Sequence, residues 1–517
     1  MPSFTPPPST PSVTVLAPPR YGAEPLSVAS HGYRYTVTGN TLLPATVITR
    51  TLAKATTPKE ALAALQDIYH KAGYNLVAIT AQLLGDIVKV SVFEGTVTNV
   101  KIPKGLGWFF PGLEGRNDVK DRELVQDQIL AGAYAERSGQ KVNVNVSPAP
   151  NPGGTDLTVT APPLPDYQPV SGTLAFGNYG SRYSSGYIMG GDVTANLRHG
   201  LQVTANYVRG LPSLRESSFG STYYAGGIGI SSVTPYGTYG FAATATHFRL
   251  GEVTAPLFPN GDIYTYKAYG TQLLYADVAT RVALTESINR TSYEETVLDG
   301  AFTILAQRYQ WATVGASFSH SLTLAGQPGS ITGDAGFDFG LSAPAGTLVD
   351  GEPGLPTPRF KYGTISTGYQ QHLPHGFQLD VTAQAQMALN TLPVSQQWIL
   401  GGFGSLDAWE PGVVVGDSGY LARAEISAPA VKRFGSQARF GVFIETGGAT
   451  FTTPAAGTAP WQTLSDVGAS LRLQLPHKFS VTAMAAIPVR SDGFNAVGRN
   501  NLDLNRIDAF FIVQKRF

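Results

Sequence analysis

The 517-residue chain contains no cysteine. That excludes a disulfide framework, a thiolate metal site and a cysteine nucleophile. Charge is scarce too: 36 basic residues balance 36 acidic ones, and charged residues make up only 14% of the chain. With no basic excess there is no electrostatic footprint for nucleic acid, and none is expected as a partner. No run of about 18 apolar residues occurs, so no transmembrane helix is available. Residues 1–19, MPSFTPPPSTPSVTVLAPP, lack a basic segment followed by an apolar stretch. They do not read as a signal peptide, and for an exported chain the leader is expected to have been removed. No phosphate loop or dinucleotide fingerprint is present. The eight histidines are scattered, and His372 and His375 are too few and too turn-like for zinc, so no metal or other cofactor is expected.

Glycine, in contrast, is abundant at 58 residues, alongside 24 tyrosines and 25 phenylalanines. A chain rich in glycine and aromatics, low in charge and near zero in mean hydropathy fits a barrel that alternates lipid-facing and lumen-facing residues. A soluble β-rich protein has the same bulk composition, so pattern must decide.

Residues 1–30 are rich in Pro, Ser and Thr and read as an extended linker. Over 31–102 the spacing predicts a small α+β domain. Tyr33–Val37 alternates as a strand, and Gly39-Asn40 breaks it. A helix opens at Pro58 with Leu62, Leu65, Ile68 and Tyr69 on one face and stops at Gly73. Strands Leu76–Leu83 and Ile87–Phe93 flank Gly85-Asp86, and Val97–Ile102 is a candidate third strand. Over 103–165 the scheme repeats more loosely: a helix at Asp121–Ala135, alternation in Lys141–Val146, a turn at Asn151–Gly154, a strand at Leu157–Ala161 and a hinge of Pro162, Pro163 and Pro165.

From about 170 onward helix signals vanish, and residues 166–517 are expected to form the barrel. In Phe377–Leu389, Phe377, Leu379, Val381, Ala383, Ala385, Met387 and Leu389 fall on one face, with Gln378, Asp380, Thr382, Gln384 and Gln386 on the other. That run can cross a membrane as a tilted strand, which needs about 9–11 residues. Strands of soluble sandwiches have a mode nearer 5–6. Leu201–Tyr207 and Phe479–Ile487 repeat the alternation. Three turns share one form, Leu197-Arg-His199-Gly-Leu201, Leu373-Pro-His375-Gly-Phe377 and Leu475-Pro-His477-Lys-Phe479, and read as tight turns feeding ascending strands. Longer stretches such as Ala343–Pro358 and Thr452–Pro460 read as loops of the opposite end. About 350 residues in 16 strands gives roughly 22 per strand with its connection; 14 or 18 strands fit the same arithmetic. The last strand ends on Phe517, and a strand closing on a C-terminal aromatic resembles the assembly signal of bacterial outer-membrane barrels. Outer-membrane lipid and the barrel assembly machinery are therefore expected partners.

These segments together resemble a two-partner secretion transporter, the TpsB family, over nearly the whole chain. Tyr33–Asn40, the Leu62–Tyr69 face, Ala72-Gly73-Tyr74 and Val92-Phe93-Glu94-Gly95 resemble the family's first POTRA domain. Phe110-Pro111-Gly112-Leu113, Asp121–Leu124 and Pro152–Leu157 resemble the second, and Asn178–Arg182 the stretch leading into the barrel. Leu400–Trp409, Gly416–Gly419 and Arg423-Ala424-Glu425 resemble the sixth extracellular loop and its flanking strand, placing an inward-folded loop near 401–418. The family's loop presents V-R-G-[FY]; Leu406, Asp407, Ala408 and Trp409 stand there instead. The acid that normally meets that arginine lies in F-x-D-x-G, here Phe443-Ile-Glu445-Thr-Gly447. Val208-Arg209-Gly210 is similar to the missing motif but lies elsewhere.

The resemblance implies two POTRA domains ahead of a barrel of about 16 strands in a Gram-negative outer membrane, with the POTRA domains in the periplasm and no enzymatic activity. The implied partner is a secreted exoprotein with an N-terminal secretion domain, recognised unfolded and exported through the barrel. A barrel insertase of the same superfamily, or a porin or polysaccharide channel with an accessory domain, are the alternatives. Asp407 facing Glu445 would repel it, so Arg423, Arg439 or both are expected to bridge the acids, and Asp407→Arg is expected to be tolerated. The bland alternatives are a solvated Asp407 and a local ion pair of Arg423 with Glu425 lining the lumen. Lys141–Val146 is the candidate client-binding edge, through Val142, Asn143, Val144, Asn145 and Val146, or an ordinary sheet strand. Gly416-Asp417-Ser418-Gly419 is similar to a serine-protease motif but lacks His and Asp partners, so no catalytic residue is expected. The proline-rich start predicts no helical plug.

Overall fold

The structure is a computed structural model that describes residues 24–150, 153–214, 221–344, 348, 352, 354–454, 459–507 and 509–517. Residues 1–23 of the expected linker, with the question of a plug, and the Asn151-Pro152 part of an expected turn lie outside the described residues. So do parts of the two long loops. The fold divides into two compact units. One runs to Gln128 and takes in Asn143–Thr160; the other comprises Ile129–Val142 and Ala161–Phe517.

In the first unit, β1 (Leu26–Ser30) and β2 (Tyr33–Thr38) form a hairpin, followed by α1 (Ala45–Leu52), α2 (Pro58–Lys71), β3 (Val77–Leu84) and β4 (Ile87–Glu94). The sheet order is β1-β2-β4-β3, with β2 and β4 parallel. Strand β1 corrects the linker expectation: Leu26, Val28 and Ser30 alternate inward, and Val28 joins a core with Tyr35, Val37, Ile48, Leu65, Tyr69 and Val90. Helix α2 starts where Pro58 predicts. Thr57 caps it by accepting from the Glu60 N–H at 3.2 Å, and Glu60 accepts in return from the Thr56 N–H at 3.0 Å.

Glu94 explains the Val92–Gly95 motif. Its carboxylate accepts from the Thr41 N–H at 2.7 Å, the Leu42 N–H at 2.8 Å and the Tyr69 hydroxyl at 3.0 Å, tying the start of α1 to α2. Burial and Glu94 push the Tyr69 hydroxyl pKa well up, so it stays a donor. Gly95 follows because a Cβ there would overlap the Leu76 carbonyl. The candidate third strand becomes β5 (Thr96–Lys101), which leaves this sheet and pairs in parallel with β7. After β5 come α3 (Asp121–Glu136), β6 (Asn143–Pro148) and β7 (Gly154–Thr160), in a sheet of order β5-β7-β6. Both sheets have the POTRA-like α+β character that the motifs imply.

The second unit contains a closed, antiparallel 16-strand barrel. Its strands begin with β8 (Val170–Gly177), β9 (Ile188–Asn196), β10 (Leu201–Gly210), β11 (Thr222–Thr234), β12 (Gly237–Arg249), β13 (Asn260–Ala276) and β14 (Thr280–Val297). They continue with β15 (Phe302–Leu324), β16 (Gln327–Ser342), β17 (Lys361–His372) and β18 (Gln378–Ala388). The next connection carries a small hairpin, β19 (Trp398–Leu400) and β20 (Val414–Gly416). Strand β21 (Ser418–Ser427), extended by β22 (Val431–Arg433), is followed by β23 (Ser436–Thr450), β24 (Gln462–Leu475), β25 (Phe479–Asp492), helix α4 (Ala496–Leu504) and β26 (Ala509–Arg516), which closes on β8. Helix α4 departs from the all-strand expectation. It is short, with Gly498 and an Asn pair in the middle, and shows no periodic apolar stripe.

An even strand number puts the start of β8 and the C-terminus at one end, the turn end, with the connections 197–200, 373–377 and 476–478. In each of these the histidine is left-handed: His199, His375 and His477 have φ of 62, 60 and 60°. Gly200 and Gly376 follow with φ of 67 and 81°, but the third turn puts Lys478 at φ 62°. Register fixes the faces. Thr382 pairs with Arg423 toward the lumen, while Val381 pairs with Ala424 and Met387 lies 70% exposed on the outer surface. Among the described residues no helix is long and apolar enough to cross a membrane.

Candidate functional site

The connection between β18 and β21 folds into the barrel lumen. Its hairpin pairs Trp398 with Gly416 and Leu400 with Val414, and glycines at 401, 402, 404 and 412, all with positive φ, turn the tip. Leu406 is left-handed as well (φ 65°), a strained conformation held by its surroundings. Leu406, Asp407, Ala408 and Trp409 are each no more than 2% exposed. The apolar members pack with Leu400, Phe443, Leu464, Met484 and Leu502.

Facing the tip is a row set by cross-strand register: Arg423 on β21 opposes Glu445 on β23, which opposes Asp466 on β24. The backbone of the tip donates to this row, Asp407 N–H to Glu445 at 2.8 Å and Ala408 N–H to Asp466 at 3.0 Å. The Arg423 guanidinium donates to Asp407 at 2.9 Å, Glu445 at 2.6 Å and Glu425 at 3.0 Å, and stacks on the Phe443 ring with its centre 3.9 Å from the centroid. Asp407 also accepts from the Gly404 N–H at 2.5 Å, closing the tip on itself. The loop aspartate and the wall glutamate are thus held by one cation between them. Relative to the motif that this region resembles, the wall acid is kept, the loop base is replaced by an acid, and the neighbouring strand supplies the base through Arg423.

Arg439 does not take part and corrects the expectation that it bridges the acids. It shares the lumenal face but lies six residues from Glu445 along β23, roughly 20 Å at strand rise. It bonds to Gln378 instead. The expectation for Asp407→Arg is corrected too. The Asp407 side chain is fully enclosed, already beside a guanidinium, and no longer caps Gly404 once replaced. A second cation there has no room, so the loop is expected to detach.

Four contributions were not visible in the motifs. Asp466 lies on the lumenal phase of β24. Arg472 grips Glu425 in a bidentate pair at 2.5 and 2.9 Å, also reached by Ser470 at 2.8 Å, and Gly441 leaves room for that carboxylate. The alternation Asp466, Gly468, Ser470, Arg472 was the available signal for both. The segment after α4 pairs with the tip from its other side: Glu410 N–H donates to the Asn505 carbonyl at 2.8 Å and Ile507 N–H to that of Ala408 at 3.1 Å. Arg182, between β8 and β9, joins through its N–H to Glu410 at 2.7 Å and its guanidinium to Glu252 at 3.2 Å. Asp417, in the protease-like string, is a loop clamp, accepting from the N–H groups of Leu392 (3.0 Å) and Thr452 (2.8 Å). Among the described residues no cluster of acids or histidines suits a metal.

The second candidate region is β6, the terminal strand of its sheet. Lys141 N–H donates to Pro162 and Ala149 N–H to Gly154, in one register with β7. Odd residues therefore bond inward and even ones outward. Among the described residues, the backbone groups left free along β6 belong to Val144 and Val146, whereas Asn143 and Asn145 bond to β7. Val142 precedes the strand and is 5% exposed, so it is not part of the open edge.

A model of the family described as haemolysin secretion/activation protein ShlB/FhaC/HecB matches residues 153–473. Among solved structures the chain is similar to CdiB from Escherichia coli, with a TM-score of 0.74 at 17% identity over 99% of this chain and 92% of that one. It is also similar to CdiB from Acinetobacter baumannii, with a TM-score of 0.68 at 16% identity over 91% and 86%. No curated protein sequence matches the chain.

Proposed function

We propose, for a chain that belongs to the haemolysin secretion/activation family ShlB/FhaC/HecB and so is a two-partner secretion transporter of the outer membrane, that it binds an unfolded exoprotein at the edge of β6 and passes it through the barrel. The turn end is then periplasmic and the loop end extracellular. The observation that carries client recognition is the open edge: Val144 and Val146 offer unpaired backbone groups, and Val146 is 45% exposed. An extended client adds a strand there, with affinity from main-chain bonds and selectivity from alternate side chains. The lumenal loop is the gate. In the resting state its tip is fixed between the Arg423–Glu445–Asp466 row and the segment after α4, and the client displaces it. Folding of the client outside supplies the drive.

The test is proline at Val144, whose N–H faces outward, against proline at Asn145, whose N–H bonds to β7. Val144→Pro is expected to cut secretion with the sheet intact, whereas Asn145→Pro disrupts the sheet itself. Normal secretion by a folded Val144→Pro protein would sink the edge proposal.

A further inference from the structure

The outer surface of β11 to β14 carries a feature that export does not use. One register row runs Ile228, Ala243, Tyr266, Arg290 on neighbouring strands, all facing outward; Ile228 and Tyr266 are about 60% exposed. Arg290 is exposed, and among the described residues its guanidinium has no ion pair or hydrogen bond. It stands ten residues along β14 from Thr280. At about 3.4 Å per residue and a tilt of about 40°, that is roughly 25 Å above the turn end, the height of the apolar band. Arg290 therefore sits at the extracellular interface, level with Tyr266.

Below it the surface is hollow. The short side chains of Ala243 and Ala268 form the floor between Ile228, Phe241 and Ile288, leaving a cavity of about 630 Å³ with Arg290 on its rim. A second cavity of about 690 Å³ continues it toward the turn end, sharing Ile230, Phe241, Ala268 and Ile288, with the Glu286 carboxylate on its wall accepting from Gln272 at 3.0 Å. Each is the size of a small-molecule site. A guanidinium directly above an apolar upper cavity, with the acid of the trough, Glu286, four residues lower on the same strand, selects an amphiphile with an anionic head and a hydrocarbon tail. Arginine's planar fork matches a phosphate in particular. Arg308, diagonally above on β15, adds positive charge although it pairs with Glu294 at 3.5 Å.

We propose that this face binds one lipopolysaccharide molecule of the outer leaflet, with a lipid A phosphate on Arg290 and an acyl chain in the trough. The outer leaflet selects this source, because phospholipid occupies the opposite leaflet.

The experiment uses the full chain, folded in detergent as judged by its heat-modifiable gel mobility. It is titrated with bisphosphorylated lipid A, dephosphorylated lipid A or phosphatidylglycerol, and bound lipid is counted by native mass spectrometry. One tightly held bisphosphorylated lipid A is expected, weakened about tenfold or more by Arg290→Ala, less by Arg290→Lys, and to a similar extent by loss of the phosphates. Ala268→Trp, which fills the trough, is expected to abolish binding with Arg290 intact. Arg516→Ala, an exposed arginine at the turn end, is expected to change nothing. Equal retention by Arg290→Ala, equal binding of the dephosphorylated lipid, or equal competition by phosphatidylglycerol each overturns the proposal. Should Ala268→Trp fail to fold, the two Arg290 variants decide it.

Discussion

Replacing Arg423 by Gln removes the one cation shared by Asp407, Glu445 and Glu425. Asp407 and Glu445 are no more than 1% exposed, so both lose their compensating charge without gaining water, whereas Glu425 keeps Arg472. Breaking a buried ion pair by removing one partner costs about 3–5 kcal/mol. The tip can relieve this by leaving the wall, so the penalty appears mainly as loop release. At 1.36 kcal/mol per decade, 3 kcal/mol raises the released population about 150-fold. The absence of native cysteine makes this measurable. Ala408 is fully buried at the tip, and Ala408→Cys places a single thiol there. Its labelling by a water-soluble maleimide then reports release. Arg423→Gln is expected to speed labelling by about two orders of magnitude, and adding Asp407→Asn is expected to recover roughly tenfold by removing one unpaired charge. Labelling unchanged by Arg423→Gln would refute the view that this cation holds the loop.

Three further outcomes follow from local geometry. Lys478 occupies a left-handed position that glycine fills in the two sister turns. Lys478→Gly is expected to stabilise the barrel by about 0.5–1 kcal/mol, read from the urea midpoint, and Gly376→Lys to cost a similar amount. In α3, burial, with Glu123 one turn away, pushes the Asp127 carboxyl up to about 7. The folded helix then holds a proton that the unfolded chain, near 3.9, has released. Helix stability is thus highest below about pH 4 and falls as pH rises from about 4 to 7. Hydrogen exchange of α3 in the full chain should accelerate from pH 5 to 8 beyond the intrinsic rate, and Asp127→Asn should remove the excess. Finally, Glu94→Ala strands the Thr41 and Leu42 N–H groups and the Tyr69 hydroxyl. A loss of about 3 kcal/mol is expected, seen as faster exchange in α1 and α2.

The barrel was legible because its strands expose one face to lipid and the other to a polar lumen, a period-two contrast that β18 displays over its whole length. The turns were legible because a left-handed histidine, followed by Gly in two of the three and by Lys478 in the other, leaves a recurring string. Part of the loop clamp was readable from the same alternation: Arg423 and Glu445 fall on the lumenal phase of their strands and meet there. What alternation does not carry is register. It gives the face of Arg439 but not its height, and height is what removes it from the loop clamp. Nor does it reveal partners brought in by other loops, such as Asn505, Arg182 and Glu252, separated from the tip by up to 228 positions in sequence. The elements missed were the short ones. Strand β1 lies in a composition that reads as linker, α1 is only eight residues long, and α4 has no apolar stripe; tertiary contacts rather than local pattern hold them. At β6 the strand was readable, but which amides face outward required its pairing with β7.

The central claim is that an unfolded client passes through the lumen of this barrel. On β25, Thr482 faces inward opposite Arg472 and its neighbour Val481 faces outward opposite Leu473. A photo-crosslinking residue at each position, in cells exporting a client stalled by a folded C-terminal fusion, tests the claim directly. The client should crosslink at 482 and not at 481. Crosslinking at 481 alone, or at neither while export proceeds, would contradict it.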